Sequence, residues 1–256
     1  MFEKLELQFT NVDESTVEKI SSFYQEIAPL LMEHQLTISL IENATSRGDV
    51  TINFVGGEDP HLKTGGCIIA SERLIKIKAS LSPYGLLQTL IFELHNISNE
   101  ALQEVKLENF SNADDFAMAI ETQEHNSYVS TKKLLIDLME RNKANFALVA
   151  SKFEISDEYD ETLSELKLEA NDSFDECMGY NSDHIKNYKD EWNTWQQTTL
   201  ALYKEIQAKE KEVSELSKLY AEFTTLSEGM DFSLIQEKFV QLLGNKADEH
   251  NENFEG

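Results

Sequence analysis

No proline follows Pro83, although 173 residues remain. Long proline-free stretches suit helices, because proline removes a backbone donor and clashes with the preceding turn. Before Pro83 the chain is punctuated by glycine pairs and by short alternating apolar runs, which read as strands. After it, almost every segment reads as helix. These two patterns define an α+β protein: a small mixed sheet with helices in the N-terminal part, and an all-helical C-terminal part. The expected organisation is an α/β part over 1–102, a helical part over 103–245 and a disordered tail over 246–256.

The first part runs as follows. Leu5 to Phe9 alternates and reads as a strand. Ser15 followed by Glu18 suggests a capping box opening a helix through Ile20, Phe23, Tyr24, Ile27 and Leu31, with Pro29 as a kink or boundary. Leu36 to Ile41 alternates and contains β-branched residues, so a second strand is expected there. Val50 to Val55, Cys67 to Ala70 and Leu74 to Lys78 read as further strands. The loop from Gly56 to Gly66 has a glycine pair at each end.

Pro83 is tolerated in the first turn of the helix it opens. At 100° per residue Leu86, Leu90, Leu94 and Ile97 share one side, flanked by Leu87 and Ile91. So wide a stripe predicts a buried helix. Phe92, Glu93 and Asn96 fall together on its flank. A carboxylate there needs a partner, a proton or solvent, because burying an unpaired charge is costly.

Further on, Asn112-Ala113-Asp114-Asp115 is a helix start with acidic residues facing the dipole. On that helix Glu124 falls in the middle of the side formed by Phe116, Ala117, Ile120 and Tyr128, with Glu121 and His125 on its flank. Additional helices are expected over 132–153, 161–168, 183–199 and 232–243. Leu202, Ile206, Val213, Leu216, Tyr220 and Phe223 recur at heptad spacing, marking a long amphipathic helix packed on the body or on a partner. Trp192 and Trp195 read as core anchors of this helical half.

The run Phe92-Glu93-Leu94-His95-Asn96 resembles the H-E-x-x-H helix of zincin metallopeptidases, in which two histidines hold zinc and the glutamate is the general base. Here the glutamate is kept and both ligand positions are changed. His95 does not restore a ligand, since it lies about 100° from Asn96 around the helix. A strand–helix–strands order ahead of this helix is what the resemblance requires. Many zincins take a third ligand from a glutamate on the next helix, where Glu121 and Glu124 stand. The resemblance covers roughly residues 50–130. It implies a zincin-like fold in which Glu93 is a relic general base and Phe92, Asn96, Glu121 and Glu124 form a vestigial site. No metal and no cofactor are expected there. It also implies that Asn96 donates to Glu121 or, by preference, Glu124. Zincin-like domains of this sort resemble parts of bacterial toxins and secreted effectors.

The net charge of −25 is even along the chain, with −12 over residues 1–128 and −13 beyond. This argues against binding nucleic acid or anionic membrane through a general field; it favours solubility, an ordinary property of acidic proteins, and would steer any basic protein partner toward the surface. Cys67 and Cys177 have no motif spacing. The start, Met1-Phe2-Glu3-Lys4-Leu5-Glu6, lacks a basic segment followed by an apolar run. A cytoplasmic place, or export without a cleavable signal peptide, is the expectation. The six histidines are scattered and no nucleophile elbow or phosphate loop is present. The leading reading is a non-catalytic zincin-like protein acting by protein binding. The alternatives are an active metallohydrolase with an unusual ligand set, and an acidic adaptor that shields a basic protein.

Overall fold

A parallel pair at the centre of a four-stranded sheet fixes the N-terminal half. In this computed structural model, residues 5–59, 62, 64–153, 156–171, 173, 174, 182–227 and 237 are described. Strands β1 (Leu5–Thr10), β2 (Val50–Val55), β3 (Gly66–Ile69) and β4 (Leu74–Lys78) lie in the order β1-β2-β4-β3. β1, β2 and β4 are parallel, and β3 runs antiparallel along the edge of β4. Register sets Ile52 beside Ile75 and Phe54 beside Ile77. These four side chains are buried, and each contributes about 1.5–3 kcal/mol by leaving water.

Parallel neighbours need a crossover. Helices α1 (Glu14–Glu33) and α2 (Gln35–Ala44) supply it between β1 and β2. α1 is capped by Asp13, whose Oδ1 accepts from the Thr16 N–H at 3.0 Å, and not by Ser15. Pro29 lies inside α1 rather than ending it. The apolar face continues past the ring through Leu30 and Leu31, both buried, which offsets the lost helical hydrogen bond.

The strand expected over Leu36 to Ile41 is instead α2. Its buried residues are Thr37, Leu40, Ile41 and Ala44, a spacing of three, one and three that only a helix places on one face. Over six residues an alternating and a helical pattern overlap, and packing against α3 (Pro83–Ser98) decides.

α3 is buried as expected, with Leu86, Leu87, Leu90, Ile91, Leu94 and Ile97 all inside. Ser82 caps it, accepting from the Gly85 N–H at 3.2 Å, and Pro83 occupies the first turn. It packs on β3, β4, α2 and α5 (Ala113–Arg141). Between them lies the short α4 (Glu100–Gln103). α5 starts where expected, with Asn112 Oδ1 accepting from the Asp115 N–H at 2.9 Å. It runs on to Arg141, through the position expected to begin a separate helix.

α6 (Lys143–Lys152), α7 (Ser156–Glu169) and α8 (Ser182–Ser227) complete the described helices. Buried His34, at the α1–α2 junction, is tied to α5 by a 2.8 Å contact between its Nε2 and Asp137 Oδ2. Tyr159 of α7 donates to the Met139 carbonyl at 2.9 Å. No strand is present between Asn112 and Ser227 among the described residues.

The chain forms two compact units, Met1–Asn193 and Thr194–Gly256, with the boundary inside α8. The change of pattern near residue 102 falls within the first. Trp192, in the first unit, is buried as expected of a core anchor, while Trp195, in the second, is half-buried. In the second unit the heptad residues Leu202, Ile206, Val213, Leu216 and Tyr220 are exposed. The expected helix over 232–243 and the expected tail over 246–256 lie outside the described residues, apart from Glu237. No described helix is long and apolar enough to cross a membrane.

Candidate functional site

The edge strand β3 and the helices α3, α5 and α8 enclose a cavity of about 890 Å³ within the first unit. Close approach of β3 to α3 shapes one wall. A Cβ on Gly66 would stand 2.5 Å from Thr89 Cγ2 and 2.9 Å from Glu93 Oε1, so only glycine fits. Phe92, Glu93 and Asn96 line the same wall from α3. The flank identified on the helical wheel is thus the face that α3 turns to the cavity.

Glu93 is only 4% exposed. Burial, and secondarily the Glu124 carboxylate, push its pKa up to about 8. At neutral pH it therefore holds a proton. Asn96 Nδ2 reaches Glu93 Oε2 at 3.4 Å, a long contact one turn away on the same helix. The bond expected from Asn96 to Glu121 or Glu124 is not made; the amide turns to Glu93. The Asn96 Oδ1 atom is buried without a partner. Cys67, on β3, also borders the cavity, and burial followed by the Glu93 charge raises its thiol to about 11.

The opposite wall comes from α5 and α8. Glu121 is fully buried, while Glu124 is half-buried and lines the cavity. The wheel placed Glu124 at the centre of the inward stripe and Glu121 on its flank. The order of burial is reversed because the stripe centred on Glu124 opens onto the cavity, which Ile120, Tyr128 and Thr131 line beside it, whereas Glu121 does not line it.

Two residues of this wall carried no signal at their positions in the sequence. His184 Nδ1 lies 3.7 Å from Glu121 Oε1 and 3.8 Å from Glu124 Oε2. Tyr188, one turn on, donates to Glu124 Oε1 at 2.7 Å. The i, i+4 spacing of His184 and Tyr188 puts both on one face of α8; it was the only available hint. The Glu124 carboxylate raises the His184 pKa against the opposing effect of burial. Tyr188 is raised too, by burial and by Glu124.

Buried Lys132 closes one end of the cavity, paired with Glu169 of α7 and 4.7 Å above the Tyr128 ring centroid. His95 does not line the cavity. Its ring is pushed down to about 4 by burial, which keeps it neutral. His125 lines the cavity, with its Nδ1 buried and unpartnered.

The zinc that an intact zincin helix holds does not fit the α3 positions. Phe92 offers no donor atom, and Asn96 offers a neutral amide already turned to Glu93. Zinc ligation calls for thiolate, imidazole or carboxylate. Glu93 itself, buried and holding a proton at neutral pH, cannot take up another there as a general base must. Comparison with protein-family models, curated proteins and solved structures gave no match.

Proposed function

We propose that this chain is a non-catalytic, zincin-like protein that acts by binding a protein partner at the cavity between β3, α3, α5 and α8. The observation that carries the reading is the α3 wall. Glu93 keeps the place of the general base while Phe92 and Asn96 stand where imidazoles would hold the metal, all three bordering one cavity. The glutamate-bearing helix that the resemblance calls for, α5, packs directly on α3. With Phe92 and Asn96 at the two imidazole positions, α3 supplies no ligand for a metal that would activate water at Glu93, and a shaped recess is left for binding.

The partner we infer is basic. Glu124 lines the α5 wall with Glu121 beside it, and the whole chain is strongly acidic. A lysine or arginine side chain entering the recess would meet carboxylates in a medium where their attraction is little screened. The test pairs two assays. The purified chain, with and without added zinc, is incubated with a mixture of unstructured peptides and cleavage is followed by mass spectrometry. Binding of a fluorescent lysine-rich peptide is measured by anisotropy beside a glutamate-rich one. No cleavage is expected, with lysine-rich binding that weakens on Glu124→Gln. Turnover of peptides by the purified chain would overturn the reading, as would equal binding of both peptides.

A further inference from the structure

We propose that Glu121, Glu124 and His184 form a binding site for a divalent first-row transition-metal ion, with all three ligands on α5 and α8. One donor atom from each residue lies within 4.8 Å of the others. His184 Nδ1 is 3.7 Å from one carboxylate oxygen and 3.8 Å from the other. Both are too long for hydrogen bonds. Ligands each about 2.1 Å from a shared tetrahedral ion are about 3.4 Å apart, a few tenths of an ångström closer than these spacings. The three groups are gathered closely enough that small side-chain movements would bring one donor from each to a single ion.

The second wall and the orienting contacts point the same way. Tyr188 donates to Glu124 Oε1, which fixes the carboxylate with Oε2 turned toward the imidazole. Such an outer hydrogen bond is the usual means of holding a metal-binding side chain in place. Across the same cavity Asn96, 3% exposed, leaves its Oδ1 without a partner. A water on the ion could supply the missing donor. The donor set of one imidazole nitrogen and two carboxylates selects for transition ions over magnesium or calcium, which are served by oxygen alone.

This inference stands apart from the absence of catalysis. A metal on α5 and α8 without peptide cleavage leaves both readings intact, and cleavage by the metal-loaded chain would remove the non-catalytic reading while leaving the site. The experiment is isothermal titration of the full chain, freed of metal by chelator and dialysis, with Zn²⁺ and separately with Mg²⁺. One Zn²⁺ site per chain is expected, with Mg²⁺ at least about 10-fold weaker. Glu124→Gln, a near-isosteric change, and His184→Ala should each weaken Zn²⁺ by at least about 10-fold, since even residues that only support a ligand cost that much. Circular dichroism of both variants verifies folding, and His250→Ala serves as the control for adventitious binding. Zn²⁺ affinity unchanged in the folded Glu124→Gln and His184→Ala variants overturns the site, as does a wild-type chain that takes up no Zn²⁺.

Discussion

Replacing Glu93 by glutamine should make stability nearly independent of the proton that this position now holds. The folded chain keeps that proton up to about pH 8, whereas an unfolded glutamic acid releases it near its ordinary value of 4.5. Below pH 4.5 both states are protonated and Glu93 imposes no penalty. Between the two values the folded state binds the extra proton, so its contribution to stability falls as pH rises, by about 1.4 kcal/mol per unit. From pH 5.5 to pH 8 the loss amounts to about 3 kcal/mol. Glutamine copies the neutral acid in size and shape, and it titrates nowhere in this range. The stability difference between Glu93→Gln and the wild type should therefore grow by about 3 kcal/mol in favour of the variant over that interval. Ionisable groups that do not interact with Glu93 contribute equally to both proteins and cancel in the difference, while Glu124 and His184, which are coupled to it, leave a smaller residual. Urea unfolding followed by far-ultraviolet circular dichroism, at the two pH values and with chelator present, measures it. A difference that stays constant with pH would show that Glu93 is ionised in the folded protein, and the account of the α3 wall as a protonated, metal-free relic would fall.

Asp137→Ala removes the acceptor 2.8 Å from the buried His34 Nε2 and should cost about 1–3 kcal/mol. Arg141→Ala breaks only an exposed pair with the same carboxylate and should cost under about 1 kcal/mol by urea midpoint; equal costs would mean that the His34 contact is not what anchors α5. Gly66→Ala forces a Cβ against Thr89 and Glu93 and should destabilise by about 1–3 kcal/mol. A neutral result in thermal melts would show that β3 lies farther from α3 than described.

Much of the fold was legible because it is written in long, strongly periodic stretches. The sixteen residues of α3 bury the stripe of Leu86, Leu90, Leu94 and Ile97, and Asn112 caps the next long helix. Short stretches were not legible in the same way. Six residues from Leu36 to Ile41 fit two periods, and only the tertiary partner of α2 settles which one holds. The α3 half of the site could be read because Phe92, Glu93 and Asn96 share a helix flank, a local property. The α8 half could not. Tyr188 meets Glu124 across 64 residues of chain, and nothing local marks His184 as its neighbour. The reversal of Glu121 and Glu124 was not legible either, because a wheel shows which side of a helix turns inward but not where that side opens onto a cavity, as it does at Glu124.

The zincin reading can be tested most directly by restoring what α3 lacks. In a His184→Ala background, which dismantles the site proposed on α8, Phe92→His and Asn96→His would place two imidazoles one turn apart on the cavity wall, facing α5. Two histidines and a glutamate are a zinc ligand set. Elemental analysis after dialysis should then find about one zinc per chain, lost again when Glu121→Gln and Glu124→Gln are added. A triple variant that is folded by circular dichroism and holds no zinc would contradict the account: the cavity would then not be the remnant of a zincin centre, and Glu93 would be a buried acid with another purpose.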